Sequence, residues 1–338
     1  MDSLTQIVLG ASVGEAVLGK KVGNRAILWG AIGGTIPDLD VVLNFFLSDV
    51  QGTLAHRTFS HSLIVLALLA PLLGYAVHRL YRNKTPATAR DWTWLFAGAL
   101  LTHPLLDAFT NYGTMLFYPF SKTRIAWRTI AIIDPVYTLP LLVGTVAVLF
   151  YSRHSPKRRR INRITLAMSS TYLLLTVGVK YHVHQVVQAQ PIGHQDFITA
   201  PAFFNTLLWS VVVDTGEEYQ VGYYSLLDTD TRIDFQPIPK NHALLTSYRQ
   251  ADSPIQESLN DLIAFTEQFY AVTETENGLL LNDLRFGPLT GWFDPSRDFI
   301  FSFLIYQEAG QVRIKQQEQS FSPQAKDLRR FWRRTLGE

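Results

Sequence analysis

Two carboxylates, Asp38 and Asp40, lie in GGTIPDLDVVLNFF, an otherwise apolar stretch, and two imidazoles, His56 and His61, follow in HRTFSHS. Further along, THPLLD places His103 and Asp107 four residues apart, which is one face of a helix. Imidazole and carboxylate together suit zinc, with manganese or iron as alternatives, and such mixed sets occur in hydrolytic sites. Six candidate ligands exceed the three protein groups and one water of a tetrahedral catalytic zinc. Either some of them orient the histidines, or two ions share a bridging carboxylate. A bound metal lowers the pKa of its water toward roughly 7 and polarises a phosphoryl or carbonyl oxygen. Asp40 and His61 are the expected proton-handling, catalytic groups. Arg57, Lys122, Arg124 and Arg128 are the expected anion clamps, since a guanidinium meets phosphate in a bidentate way.

Each group also has a plainer reading. A His-x4-His pair occurs in ordinary loops, Asp107 can terminate a helix, and Asp38 can cap one after Pro37. The basic residues can contact lipid headgroups instead of substrate. What favours metal is their shared setting. A carboxylate inside a membrane helix costs roughly 2.5–3.5 kcal/mol on insertion scales, so it normally faces a partner, a cavity or an ion.

The elements that must position these groups are apolar. Six hydrophobic segments stand near residues 4–18, 26–47, 62–80, 92–109, 133–151 and 164–180, several close to the roughly 20 residues that span a bilayer. The first carries Glu15, read as an end residue snorkelling near Lys20 and Lys21, and a re-entrant or interfacial helix is its rival interpretation. Gly33, Gly34 and Pro37 predict a break in the second segment. In a straight helix Asp38 and Asp40 would point to different sides; local unwinding would let both turn inward, with Asn44 on the Asp40 face.

Lysines and arginines gather after segments one, three and five: Lys20, Lys21 and Arg25; Arg79, Arg82, Lys84 and Arg90; and a run from Arg153 to Arg163. The positive-inside rule assigns these loops to the cytoplasm. If all six segments cross, the six candidate ligands lie at or near the extracytoplasmic face. Lys122, Arg124 and Arg128 then run against the trend.

The chain has 338 residues, of which only 17% are charged, with a net charge of +2. Nearly all long apolar runs precede residue 180. The absence of cysteine excludes disulfides, thiolate ligands and a cysteine nucleophile. No P-loop, dinucleotide fingerprint, repeat or nucleic-acid signature is present. MDSLTQIVLG lacks a basic n-region and a small-residue cleavage site, so it reads as a retained helix. After Lys180, LLWSVVV and YQVGYYSLL read as strands joined across DTGEE. LLLNDLRF, DFIFSFLIY and QVRIKQQ read as further strands, and 255–272 and the basic segment from Pro323 as helices. His182, His184 and His194 read as surface histidines rather than a second metal cluster.

In order, MDSLTQIVLGASVGEA, GGTIPDLD, HRTFSHS, THPLLDAFTNYGTMLFYPFS and IIDP resemble the YdjM-like family of bacterial and archaeal inner-membrane proteins, described as metal-dependent hydrolases. The resemblance covers roughly residues 1–150. It implies that the PDLD carboxylates, the HRTFSH histidines and the HPLLD pair, here Asp38, Asp40, His56, His61, His103 and Asp107, are the metal-associated positions. Many relatives carry His where this chain has Gln6, so Gln6 is either a lost ligand or a donor behind the ligands.

The combined expectation is an α-helical integral membrane bundle of about five to six transmembrane helices, residues 1–184, followed by a soluble α+β domain of mostly antiparallel strands, residues 185–338, on the extracytoplasmic side. The expected function is a multi-pass inner-membrane hydrolase with a divalent metal, zinc first, acting on a lipid or lipid-linked phosphoester. A metal-ion or proton-coupled transporter and a non-catalytic, metal-stapled assembly protein are the rival readings. A transporter would carry inverted repeats and ligands near the midplane, and the sequence shows no repeat.

Overall fold

The computed structural model of the chain describes residues 1–193, 196–246, 248, 254–287, 299–308, 311–317 and 325–338. It forms two compact units. One comprises Met1–Val42, Ala55–Gly178 and Phe203–Asn205; the other comprises Leu43–Leu54, Val179–Ala202 and Thr206–Glu338.

The first unit is helical. α1 (Ser3–Val22) and α2 (Asn24–Thr35) are separated by Gly23 alone, which turns the chain at φ 62°. The two helices pack backbone to backbone. A Cβ at Gly10 or Gly14 would strike α2 at Gly30 or Ala26, and one at Gly30 or Gly34 would strike α1. Small residues at this spacing allow close helix approach within a bilayer. α4 (Leu63–Tyr81) starts on Ser62, whose hydroxyl accepts from Val65 N, and α5 (Ala89–Asp107) starts on a reciprocal Thr88–Asp91 capping box. Leu18, Val22, Ala26, Leu66, Ala70, Trp92 and Phe96 form the core shared by α1, α2, α4 and α5. A second core joins Val8, Leu9 and Leu106 to Tyr137 and Leu141 of α6 (Pro135–Leu149). α7 (Pro156–Gln188) follows.

Among the described residues, two stretches are long and apolar enough to cross a membrane: Asn24–Phe45, with 22 residues, and Leu63–Tyr81, with 19. Pro135–Leu149 is apolar but short. The expected five to six spans therefore rest on length and composition for two only. α1 falls outside because it carries Glu15, Lys20 and Lys21.

Glu15 itself requires a correction. It does not snorkel; it is buried and receives both arms of the Arg158 guanidinium, Nε to Oε1 at 2.7 Å and Nη2 to Oε2 at 2.6 Å. Arg158 also donates to Asn24 Oδ1 at 2.7 Å. Lys21 instead meets Asp91 at 2.7 Å.

The second unit holds two antiparallel four-stranded sheets. One is β1 (Asp196–Pro201), β2 (Leu208–Asp214), β3 (Glu218–Ser225) and β4 (Gln236–Pro239). The other is β5 (Tyr270–Thr275), β6 (Gly278–Asp283), β7 (Ser302–Glu308) and β8 (Gln311–Gln317). β2 and β3 form the hairpin expected around DTGEE, with Gly216 at φ 98°. Ile198, Val212 and Val221 share a core with Phe269, Ala271 and Leu284.

The helix expected over 255–272 is shorter: α8 (Pro254–Phe265) ends at Phe265, and Glu267 and Gln268 take positive φ before β5 begins. The amphipathic period is real up to Phe265; beyond it the β-prone YAVTET run wins. α3 (Asp49–Ala55) also belongs to this description, and α9 (Ala325–Thr335) closes the chain. His194 lies outside the described residues, as do positions 323 and 324 of the basic segment. His182 approaches Tyr224 Oη at 3.3 Å, and the His184 ring lies tilted against Phe197, 4.7 Å between centroids.

Candidate metal centre

The break in the second apolar segment comes from Pro37. Pro37 has no backbone N–H and its ring crowds the carbonyl four residues back, and the α-helix ends at Thr35; Ile36–Phe45 continues as a 3-10 helix. Asp38 stands in its first turn. His61 comes from a single 3-10 turn, Phe59–His61, directly before α4. His103 and Asp107 occupy the last turn of α5, one helical turn apart, and are fully buried. Three segments distant in the sequence thus converge.

Four of the six sequence candidates bring a ligand atom into one volume: Asp38, His61, His103 and Asp107. His61 Nε2 and His103 Nε2 are 3.2 Å apart. Asp38 Oδ1 lies 3.4 and 3.3 Å from them, and Asp107 Oδ2 lies 3.2 and 3.3 Å from them. All four ligand atoms lie within 4.8 Å of one another, close enough to share one metal ion.

The hydrogen bonds behind the ring define what these atoms are. His103 Nδ1 meets the Gly34 carbonyl at 2.6 Å, and a carbonyl only accepts, so Nδ1 carries the proton. Ser60 Oγ donates to Asp40 Oδ2 at 2.6 Å and so accepts from His61 Nδ1 at 2.9 Å. A ring protonated at Nδ1 alone presents an Nε2 lone pair to a cation. Asp107 Oδ2, buried among these atoms, has no hydrogen-bond partner. Four ligand atoms converge here, and a buried carboxylate oxygen is costly to leave unpaired. The residues present fit a divalent cation.

Asp107 is anchored through its other oxygen. Oδ1 accepts from Gln6 Nε2 at 3.0 Å, lies 3.3 Å from Arg57 Nη2, and pairs with the Met1 α-amino group. Gln6 thus sits behind a cluster carboxylate as a donor. Asp38 is the one member of the four with appreciable exposure, its side chain 20% accessible against 0% for the others; the cluster's open edge is there.

Asp40 and His56 stand outside the tetrad. His56 Nδ1 meets Asp40 Oδ1 at 2.8 Å, and Asp40 Oδ2 also accepts from Arg57 N at 3.1 Å and lies 3.5 Å from His61 Nδ1. Asn44, expected on the Asp40 face, lies against Gly52.

Of the basic candidates, Arg57 is buried, donates from Nη1 to Thr110 Oγ1 at 2.9 Å, and lies over the Tyr112 ring. Arg124 donates to His56 O at 3.2 Å and Gly113 O at 3.3 Å, and lies over the other part of the same aromatic contact, 5.8 Å from the Tyr112 ring centre. Arg128 Nε donates to Asn111 Oδ1 at 2.8 Å, and Lys122 is exposed.

Sequence reasoning missed Ser60 and the Gly34 carbonyl. Ser60 had a signal, its place beside His61 in HRTFSHS; a backbone carbonyl freed by a broken helix leaves none.

Helices with two candidate membrane spans, bearing a buried His–Asp tetrad able to hold a metal ion, define a helical membrane protein with a candidate metal centre. The chain belongs to the YdjM inner membrane protein family, whose model matches residues 1–183. It is 24% identical over 258 residues to the uncharacterized protein YfhP of Bacillus subtilis (strain 168), covering 72% of this chain and 75% of that one. It is 29% identical over 133 residues to the inner membrane protein YbcI of Escherichia coli (strain K12), covering 38% of this chain and 75% of that one. No solved structure matches the chain. The family supports the inner membrane as its location.

Proposed function

We propose that this protein is a multi-pass inner-membrane, metal-dependent hydrolase acting on a lipid or lipid-linked phosphoester, with the metal held by Asp38, His61, His103 and Asp107. The observation that carries this reading is the convergence of four ligand atoms from three segments, one of them the unpartnered Asp107 Oδ2. A divalent cation bound there supplies Lewis acidity toward a phosphoryl oxygen and a water of lowered pKa. Zinc is the first expectation, with manganese and iron as alternatives.

The chain's own residues do the rest. Ser60 and Gly34 keep the protons on the two Nδ1 atoms, so both Nε2 atoms face inward. Asp40 is the proton-accepting carboxylate in this reading, and His61, which would hold the metal through Nε2, is positioned by Asp40 through Ser60 rather than relaying a proton. His56, with 24% of its side chain exposed, offers the proton on Asp40 a way to solvent. Arg57 holds Asp107 in place, while Lys122, Arg124 and Arg128 are the groups assigned to the anionic part of the substrate. The lipid character of the substrate is supported by the setting: Leu39, Val41, Val42 and Phe45, on the same segment as Asp38, are exposed.

If all six apolar segments cross, the distribution of lysine and arginine supports a centre at the extracytoplasmic face and the β-rich domain, 185–338, on that side.

The test is metal content and phosphate release from purified protein, assayed on a panel of phosphorylated and diphosphorylated lipids with and without added zinc or manganese. One tightly held ion per chain and metal-dependent release are expected. Protein that holds no ion at stoichiometric level, or that releases no phosphate when loaded, overturns the reading.

One observation favours a second reading. Four protein donors complete a tetrahedral shell, the pattern of a structural site, and a metal-stapled, non-catalytic protein would be built this way. X-ray absorption separates the two: a water or a fifth ligand at the Asp38 edge belongs to the hydrolase, and a closed four-ligand shell to the staple.

A further inference from the structure

α9 lies far from the metal centre in sequence, and the function proposed above makes no use of it. It reads AKDLRRFWRRT and buries Phe331 and Thr335, with Phe331 against Ala202 and Leu208. Arg334 is turned inward as well, meeting Asp228 at 2.6 Å and the Tyr223 carbonyl at 2.7 Å. That face is settled.

The adjoining face, three residues before Phe331 and Thr335, is exposed among the described residues. Leu328, Trp332 and Leu336 recur every four residues and are 42%, 48% and 56% exposed. Beside this stripe run Arg329, Arg330 and Arg333, all exposed. Arg333 makes a contact with Glu338 at 3.1 Å, but both side chains remain largely in solvent, where such a pair is worth little. An exposed apolar stripe containing tryptophan, flanked by arginines, has the composition of a helix lying in a membrane interface.

We propose that α9 docks on the surface of an anionic phospholipid bilayer, with Leu328, Trp332 and Leu336 entering the headgroup layer and Arg329 and Arg333 binding lipid phosphates. Charge complementarity selects this occupant. The arginines are spaced along one flank, where they meet a sheet of negative headgroups, and the apolar stripe gains only from a surface with hydrocarbon beneath it. The bilayer is also within the chain's own reach, since the family places the first unit in the inner membrane. The inference does not depend on the metal.

The chain contains no cysteine, so a single reporter needs no background removal. Leu328→Cys, labelled with an environment-sensitive fluorophore, is placed in the full-length protein and reconstituted in nanodiscs. One set is purely zwitterionic, a second contains phosphatidylglycerol, and a third contains brominated phosphatidylglycerol. Blue-shifted emission in the second set, quenched in the third and absent in the first, is expected. Arg329→Gln with Arg333→Gln should lower the docked-to-free ratio by about tenfold or more, given the contribution of each basic residue near an anionic surface, and 0.5 M salt should act in the same direction. Circular dichroism of the variant checks its fold. Equal emission in zwitterionic and anionic discs overturns the proposal. So does a shift that survives loss of both arginines, or one seen in detergent on adding a soluble polyanion alone, which would assign the face to another macromolecule.

Discussion

His61 and His103 aim their Nε2 atoms at one another across 3.2 Å, while each Nδ1 is engaged by an acceptor on its far side. Two neutral imidazoles so held repel unless something electropositive lies between them. The two carboxylate oxygens that complete the group sharpen that requirement.

The tetrad and the groups behind it should separate by magnitude. His61→Ala and His103→Ala each remove a ligand atom, and bound metal measured by plasma mass spectrometry should fall to background. Asp40→Asn and Ser60→Ala only loosen the orientation of His61, and should weaken metal affinity by about 10–100-fold in a chelator competition. Asp40→Asn behaving like His61→Ala would place Asp40 among the ligands.

Breaking the buried pair between α1 and α7 should be costly. Glu15→Gln leaves the Arg158 guanidinium buried without its counter-charge, a change worth about 3–5 kcal/mol. Unfolding in mild detergent should report it. Glu15→Gln combined with Arg158→Met should recover a large part of the loss, because the stranded charge is then gone.

The glycine contact between α1 and α2 should couple to the metal site. Gly34→Ala directs a methyl group at the backbone of Gln6 and Gly10 and should destabilise by about 1–3 kcal/mol. Because the same glycine's carbonyl holds His103, metal affinity should fall too. Gly30→Ala, at the same helix contact but one turn further from the site, should cost stability with a smaller effect on metal.

The β-rich unit should weaken in alkali. The Tyr219 hydroxyl donates to Gln268 O at 2.6 Å, and burial, with a smaller contribution from the Asp214 charge, pushes its pKa above the ordinary value of 10. The folded state therefore keeps this proton after the unfolded chain has lost it. Its contribution is fully present below pH 10 and declines above, by up to about 1.4 kcal/mol per pH unit, until the folded pKa is passed. Tyr219→Phe should flatten this alkaline loss of stability, measured by denaturant unfolding between pH 9 and 11.

The residues of the candidate centre were legible in the sequence because chemistry-bearing side chains stand out against apolar surroundings. PDLD, HRTFSHS and THPLLD each announce themselves by composition, and the i, i+4 spacing of His103 and Asp107 already places both on one face. The break at Pro37 was legible too, since proline acts on its own neighbours. The strands of the second unit followed from alternation and β-branched residues, which are equally local.

Which of Asp38 and Asp40 faces the histidines' Nε2 atoms was settled only by packing. On a 3-10 segment the two carboxylates diverge, and the His61 ring stands between them, Asp38 toward Nε2 and Asp40 toward Nδ1. Glu15 shows the same limit: its partner is 143 residues away, beyond any local period. A sequence determines which groups are available and the face each takes on its own element. Contacts between elements depend on how close their backbones can come, here through Gly10, Gly14, Gly30 and Gly34, and that distance exists only in the folded chain.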